Sequence, residues 1–316
     1  MVNPPPRHGS LQFYPRKRAA KIMPKVSWSA ISKKEPGLLG FICYKAVMRS
    51  VYAKDNTPNS LTKGKRIVFP VTILECPTMK ILSVRFYKDK KVAYEFINHN
   101  LDKELKRKIK LPKKGDKKFE DFLTKDFDDI SIVVFSQVKK TGIKKTPDIK
   151  EIGIFGSKDE KINFVKNHLS KEISINDVFK EGVVDIRGVT KGKGLQGTVK
   201  RFGVSLKSHK SEKGQRTLGS GGPWHPSRVD YTQPRAGQMG YFTRVVYNSK
   251  IVYIGNINDK NINPESGFTN YGKIKGDYII LQGSVQGAQK RALLLTSALR
   301  PTIKFTKRNY EFIELR

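Results

Sequence analysis

The sequence predicts a mainly β protein with an α/β insertion, a β-barrel from which a basic N-terminal arm and a long basic loop extend. Three observations carry this. Strand-patterned blocks flank a glycine-rich basic excursion, and the helix signals concentrate in a separate stretch of nearly balanced charge. The 316 residues hold 62 Lys and Arg against 28 Asp and Glu, a formal charge of +34, with hydrophobic residues at 37%. That apolar fraction suffices for a core, while the charge far exceeds the magnitude of about 2–8 that keeps a small domain soluble.

The arm comes first. Residues 1–36 hold eight basic residues, among them Arg7, Arg16, Lys17 and Arg18, against the single acid Glu35. They are rich in Pro and Ser and lack an apolar period, which reads as an extended basic segment. Trp28 within it reads either as a stacking ring or as an anchor to the barrel. Residues 37–87 are globular: 67–74 and 81–87 are β-branched and aromatic runs separated by Cys76-Pro77-Thr78, the pattern of two paired strands.

Residues 88–181 hold 23 Lys and Arg and 17 Asp and Glu. Helical spacing runs through 98–111. Ser157 with Glu160 forms a capping box ahead of Ile162, Phe164, Val165 and Leu169. Ser174 with Asp177 starts a short helix that Gly182 ends, and 130–135 is a strong strand. This reads as an α/β subdomain with a solvated, mixed-charge surface.

Residues 187–244 hold twelve basic residues against Glu212 and Asp230, and eleven of the 26 glycines. Such a segment cannot bury enough apolar surface to offset its own ordering entropy. Yet Trp224, His225, Tyr231, Tyr241 and Phe242 interleave with the cations. That combination suits passage through folded RNA: Lys and Arg neutralise phosphates, Gly admits close backbone approach, and rings stack on bases. Beyond it, 243–247 and 251–255 flank Asn248-Ser249-Lys250 as a hairpin, and 278–281 with Val285 continues the strand pattern. The division expected is therefore an arm (1–36), a barrel core (37–87 and 182–300) carrying a loop at 190–240, an insert (88–181) and a C-terminal tail (301–316).

Composition also bounds function. A chain of +34 repels itself unless a polyanion neutralises it, so nucleic acid is the first partner class and an anionic membrane surface the second. A Lys-rich thermophilic surface would raise Glu alongside Lys, and here the acids do not keep pace. Cys43 and Cys76 are too few and too separated for a disulfide framework or zinc knuckle and read as small buried hydrophobes of a reducing compartment. The start lacks the apolar region of a secretory signal, and the longest apolar stretch, 38–48, contains Lys45, so a soluble, cytoplasmic protein without a membrane partner is expected.

Motifs that resemble catalytic or cofactor sites fall short. Gly192-Lys193-Gly194-Leu195-Gln196-Gly197 is a literal GxGxxG after a strand, but Thr198 to Gly203 carries β-type residues and another glycine, so no helix N-terminus is expected for a dinucleotide. None of the five histidines has a metal spacing. His225 reads either as a polar loop residue or as a base or phosphate contact. Asp126, Asp128 and Asp129 read as a solvated turn before a strand, not as a nuclease metal site. No cofactor, metal, small-molecule substrate or catalytic residue is expected.

The runs GVTKGKGLQGTVKRFGV, GPWHPSRV and PRAGQMGYFTRVVYNSKIVYIG within 188–255 resemble the large-subunit ribosomal protein L three family. GSLQFYPRKRAAKIMP, GFICYKAVMRSV and GFTNYGKIKGDYIILQGSVQGAQKRALLL support the match, and the long insert and arm resemble the archaeal and eukaryotic form. The resemblance implies a structural, non-enzymatic rRNA-binding protein with a translation-factor-like barrel. It would lie near the 3′ end of 23S-type rRNA, help nucleate subunit assembly, and send its loop and arm toward the peptidyl-transferase centre. The neighbours implied are the ribosomal proteins L fourteen and L twenty-four e. Trp224 falls at the family's loop tip with His225 and Arg228 beside it. Lys191, Lys193, Lys200 and Arg201 match the basic motif, and Arg235, Gln238 and Arg244 the return. Lys210, Lys213 and Arg216 complete the loop's RNA-facing candidates. Some members modify a histidine upstream of the tip; the alignment at His209 does not carry that modification over. The competing classes are a nucleic-acid-processing enzyme, either a nuclease or an RNA-modifying enzyme, and an architectural DNA-binding protein.

Overall fold

The computed structural model describes residues 13–33, 35–112, 119–211, 213–222, 224–225, 227–229 and 233–316. Arg7, Glu212, Asp230 and Tyr231 lie outside the described residues. The chain is mainly β, and every pairing with a described register is antiparallel. It divides into two compact units: Met1–Lys21 with Val189–Thr243, and Ile22–Gly188 with Arg244–Arg316.

The larger unit begins with β1 (Gly37–Leu38), β2 (Gly40–Asp55), β3 (Arg66–Glu75), β4 (Met79–Lys88) and β5 (Lys91–Ile97). After α1 (Glu120–Leu123) come β6 (Asp129–Ser136), α2 (Val138–Thr141), β7 (Ile149–Phe155), α3 (Lys158–His168) and β8 (Val183–Val189). The smaller unit supplies β9 (Gly192–Gln196), α4 (Thr198–Phe202) and β10 (Gly237–Gly240). The chain then returns through β11 (Thr243–Asn256), β12 (Asp277–Gln282), β13 (Ala292–Ser297), α5 (Ile303–Thr306) and β14 (Tyr310–Leu315).

One sheet has the order β13-β8-β11-β12-β3-β2-β14, and β13 also pairs with β2. Six of its strands therefore form a closed hydrogen-bonded ring, which removes exposed edges. The strand β2 shows why. Its first eight residues, Gly40 to Val47, are all buried: β13 pairs with Gly40–Tyr44, β3 pairs from Tyr44 onward, and the side chains enter two core clusters, Phe41–Tyr44 in one and Ala46 and Val47 in the other. Beyond Met48 it alternates, with Val51, Ala53 and Asp55 buried, the pattern of a sheet with one wet face. There β14 replaces β13 as its neighbour.

The second sheet has the order β1-β7-β6-β4-β5. Phe86, Phe96, Phe119, Phe122 and Phe127 cluster on it, with Phe86 and Phe127 edge to face at 5.0 Å. The expected capping box is present: Glu160 N–H donates to Ser157 Oγ, and Ser157 N–H to Glu160 Oε2 at 2.7 Å. Trp28 is an anchor. Its side chain lies on Gly153 and Gly40, where an added β-carbon would stand 2.6 Å from Trp28 Cβ and 3.0 Å from Trp28 Cη2.

Four local expectations are corrected. The strands at 67–74 and 81–87 exist but do not pair with each other: β3 joins β2 and β12, whereas β4 joins β5 and β6. The Cys76-Pro77-Thr78 segment carries the chain from one sheet to the other. The helical spacing at 98–111 yields only the 3-10 turn Lys103–Arg107, because Asn98 Nδ2 donates to Ile81 O and Leu169 O and pins the start of the segment. Ser174 and Asp177 close a single turn. The expected hairpin at 248–250 is instead one continuous strand, β11, in which Asn248 takes φ 55°. Its N–H donates to the buried Asp185 Oδ1 at 2.9 Å, which holds the kink and prevents a reversal.

Candidate nucleic-acid interface

The smaller unit has a two-stranded frame. Gly237 pairs with Gln196, Gln238 with Leu195 and Gly240 with Gly192. Glycine is required at Gly240: its φ is +75°, and a β-carbon there would stand 2.1 Å from Lys191 O. The GxGxxG segment is β9 followed by α4, so the expectation of no helix after it is corrected. The helix has five residues and stops where Gly203 takes the left-handed conformation at φ 70°. One turn suffices because Gly203 N–H reaches Val199 O at 2.8 Å and ends it.

Several site residues predicted from sequence converge on this frame. Arg201 donates through Nε to Gln238 O at 3.0 Å and through Nη1 to Arg235 O at 2.8 Å, tying α4 to the return segment. Arg16 donates to Arg201 O at 3.0 Å, with its guanidinium 4.1 Å from the Phe202 ring centroid and 5.5 Å from that of Tyr14. Such cation–π contacts contribute about 0.5–2 kcal/mol each. Ala19 N–H donates to Tyr241 O, and Gln238 Nε2 to Met239 O and Gly240 O. Thus Arg16, Arg201 and Gln238 hold the arm, the helix and the return together. Tyr14 and Phe202, which flank the Arg16 guanidinium, were not among the sequence candidates; an arginine within two residues of a ring at 14–16 and 201–202 is the signal that marks them.

The other candidates face outward. Lys17, Arg18, Lys191, Lys193, Lys200, Lys210, Lys213, Arg216, His225, Arg228 and Arg235 are exposed, and Trp224 is 81% exposed. Arg244 is half-buried and begins the second segment of the larger unit. Among the described residues, no Lys or Arg of the smaller unit forms an ion pair, and no hydrophobic side chain between 190 and 243 is buried.

The insert is the opposite case. Within it Lys88 pairs with Asp126 at 2.6 Å, Lys139 with Glu104 at 3.2 Å, Lys140 with Glu172 at 2.5 Å and Lys161 with Asp129 at 2.7 Å, and its carboxylates also hold Lys80 and Arg85 of β4, through Asp102 at 3.2 Å and Glu151 at 2.8 Å. Burial works against the charged form of Glu151, but hydrogen bonds from Tyr87 and Ser131 with the Arg85 cation outweigh it and hold its carboxyl below the usual range. Lys140, Thr78 and Lys80 do the same for Glu172 against a similar burial effect.

The three aspartates at 126–129 do not converge. Asp126 pairs with Lys88, Asp128 accepts the Asp89 N–H, and Asp129 faces Lys161. Among the described residues, no group of three His, Cys, Asp or Glu is placed to hold a metal ion, and no helix is long and apolar enough to cross a membrane.

Comparison with known proteins agrees with the charge distribution. The family model described as Ribosomal protein L3 matches residues 3–316. Large ribosomal subunit protein uL3 of Methanocaldococcus jannaschii is 45% identical over 311 residues, covering 94% of this chain and 92% of the relative. The uL3 of Pyrobaculum aerophilum is 44% identical over 317 residues, covering 95% and 93%, and that of Archaeoglobus fulgidus 40% over 309, covering 94% and 92%. With a family model spanning the chain and relatives this similar along nearly their whole length, the chain belongs to the Ribosomal protein L3 family.

Proposed function

We propose that the protein is a structural constituent of the large ribosomal subunit that binds rRNA and catalyses no reaction. The observation that carries this is the contrast in charge compensation. In the insert Lys88, Lys108, Lys139, Lys140, Lys144 and Lys161 pair with its own carboxylates, while among the described residues no exposed Lys or Arg of the arm-and-loop unit has an acidic partner. Uncompensated cations on a unit whose described residues between 190 and 243 bury no hydrophobic side chain need an external polyanion to order them. The relatives' shared name, large ribosomal subunit protein, supplies the identity of that polyanion.

In this reading the arm (1–36) and the 190–240 loop reach into 23S-type rRNA near its 3′ end, with Trp224, His225 and Arg228 directed toward the peptidyl-transferase centre. The closed strand ring, made by β2, β3, β8, β11, β12 and β13 from within 37–87 and 182–300, is a translation-factor-like barrel at the subunit surface. The insert (88–181) is its solvated companion, and residues 301–316 complete it. Early binding helps nucleate assembly, and L fourteen and L twenty-four e are the neighbouring proteins. The dispersal of Asp126, Asp128 and Asp129 onto separate partners weighs against a nuclease. Sucrose-gradient sedimentation of a native lysate tests the reading: the protein travels with the large subunit at low salt and is stripped at high salt. A free pool at all salt concentrations, or magnesium-dependent RNA turnover by the purified chain, would overturn it.

A further inference from the structure

Cys43 and Cys76 are the only cysteines in the chain and lie 33 residues apart. Cys43 is in β2, and Cys76 directly follows Glu75, the last residue of β3. Tyr44 pairs with Glu75 in the antiparallel register, so one step along each chain sets Cys43 and Cys76 side by side across the strand pair. Their sulfurs are 3.1 Å apart, and both residues are fully buried. A buried residue touches about 6–12 others, so two buried cysteines placed without regard to each other would meet roughly one time in ten. Here the chain's two thiols meet inside the wall of the closed ring, next to β13 through the Cys43–Leu293 pairing and to β12 through the Cys76 N–H bond to Asp277 O.

Both are free thiols in this structure, as the reading of small buried hydrophobes in a reducing compartment expects; against the redox part of that reading, we propose that Cys43 and Cys76 form an intrachain disulfide that staples β2 to the end of β3. The oxidant is a low-molecular-weight disulfide. One cysteine thiolate attacks it, forming a mixed disulfide and expelling one thiolate. The second cysteine thiolate then attacks the mixed disulfide at the protein sulfur, forming the Cys43–Cys76 bond and expelling the second thiolate. The two protons lost by the cysteines pass through solvent to the two expelled thiolates, so the oxidant leaves as two thiols. Exchange requires access to sulfur, and neither cysteine is accessible in the folded ring. The bond therefore forms before the ring closes, and the folded protein afterwards shields it from reductants. This site is independent of RNA binding: it lies in the larger unit and uses no residue of the interface.

The test is a thiol count on the full-length chain. The chain is unfolded, refolded in buffers containing oxidised and reduced glutathione, acid-quenched, denatured and treated with N-ethylmaleimide, and its mass is measured. Circular dichroism verifies folding. The expected result is a monomer with no maleimide adducts, two adducts after reduction, and a Tm about 5–10 °C above that of the chain refolded with reductant alone. Two adducts without reduction, a stable glutathione adduct, or a covalent dimer on a non-reducing gel would each overturn the proposal.

Discussion

Replacing three unpaired cations should flatten the salt dependence of RNA binding, whereas replacing three paired ones should not. Lys193, Lys210 and Lys213 are exposed and lack acidic partners among the described residues. Lys88, Lys139 and Lys140 are also exposed, at 48%, 79% and 57%, but they face Asp126, Glu104 and Glu172. Each phosphate contact adds about 0.7–0.9 to the slope of log affinity against log salt. Lys→Gln at the first trio therefore lowers the slope by about 2–3. Between 50 and 200 mM salt, that removes roughly a 20- to 40-fold loss of affinity. Lys→Gln at the second trio leaves the slope within about 0.5 of the parent, because those charges are already compensated. The assay is filter binding of a 3′-terminal large-subunit rRNA fragment across a salt series. Equal slope changes for the two trios would refute the inference that charge compensation separates interface from insert.

Further outcomes follow from individual contacts. Gly240→Ala places a β-carbon against Lys191 O at positive φ and should loosen the β9–β10 frame by about 1–3 kcal/mol, read as faster trypsin cleavage within 190–240 with unchanged melting of the larger unit. Trp28→Ala empties the space over Gly153 and Gly40 and should cost about 3 kcal/mol, a fall in Tm of roughly 6–12 °C. Trp224→Ala removes an exposed ring and should move Tm by less than about 0.5 kcal/mol equivalent, while reconstituted subunits carrying it lose peptidyl-transfer activity. Glu151 and Glu172 have carboxyls held below the usual range. Their stabilisation is complete above the unfolded value of about 4.5 and is lost as pH falls through the folded values. Acid titration should therefore melt the insert first, and Glu151→Gln should reduce that acid sensitivity.

Much of the architecture is legible in local sequence because it depends on local physics. Runs of β-branched and other apolar residues mark β3, β6 and β12, and Ser157 with Glu160 marks the start of α3. What sequence does not reveal is which strands become neighbours. A proline turn at Cys76-Pro77-Thr78 signals a change of direction equally well for a hairpin and for a crossing between sheets. Asn248 reads as a turn residue, yet the distant Asp185 turns its positive φ into a kink. The apolar run ALLLTS of β13 lacks alternation because it is buried throughout, and its pairing with both β2 and β8 closes the ring. The basic interface was visible as composition, but its division of labour was not. Arg16 and Arg201 look like phosphate ligands in sequence, and the structure commits them to backbone carbonyls. Lys193, of the same motif, is left facing outward.

Mass-spectrometric mapping of ultraviolet protein–rRNA cross-links in the intact large subunit tests the central claim most directly. Cross-linked peptides should concentrate in 13–21 and 191–241, with Trp224 and its neighbours among them, and be sparse across the ion-paired insert. A cross-link density in 88–181 equal to or greater than that in the arm and loop would contradict the claim.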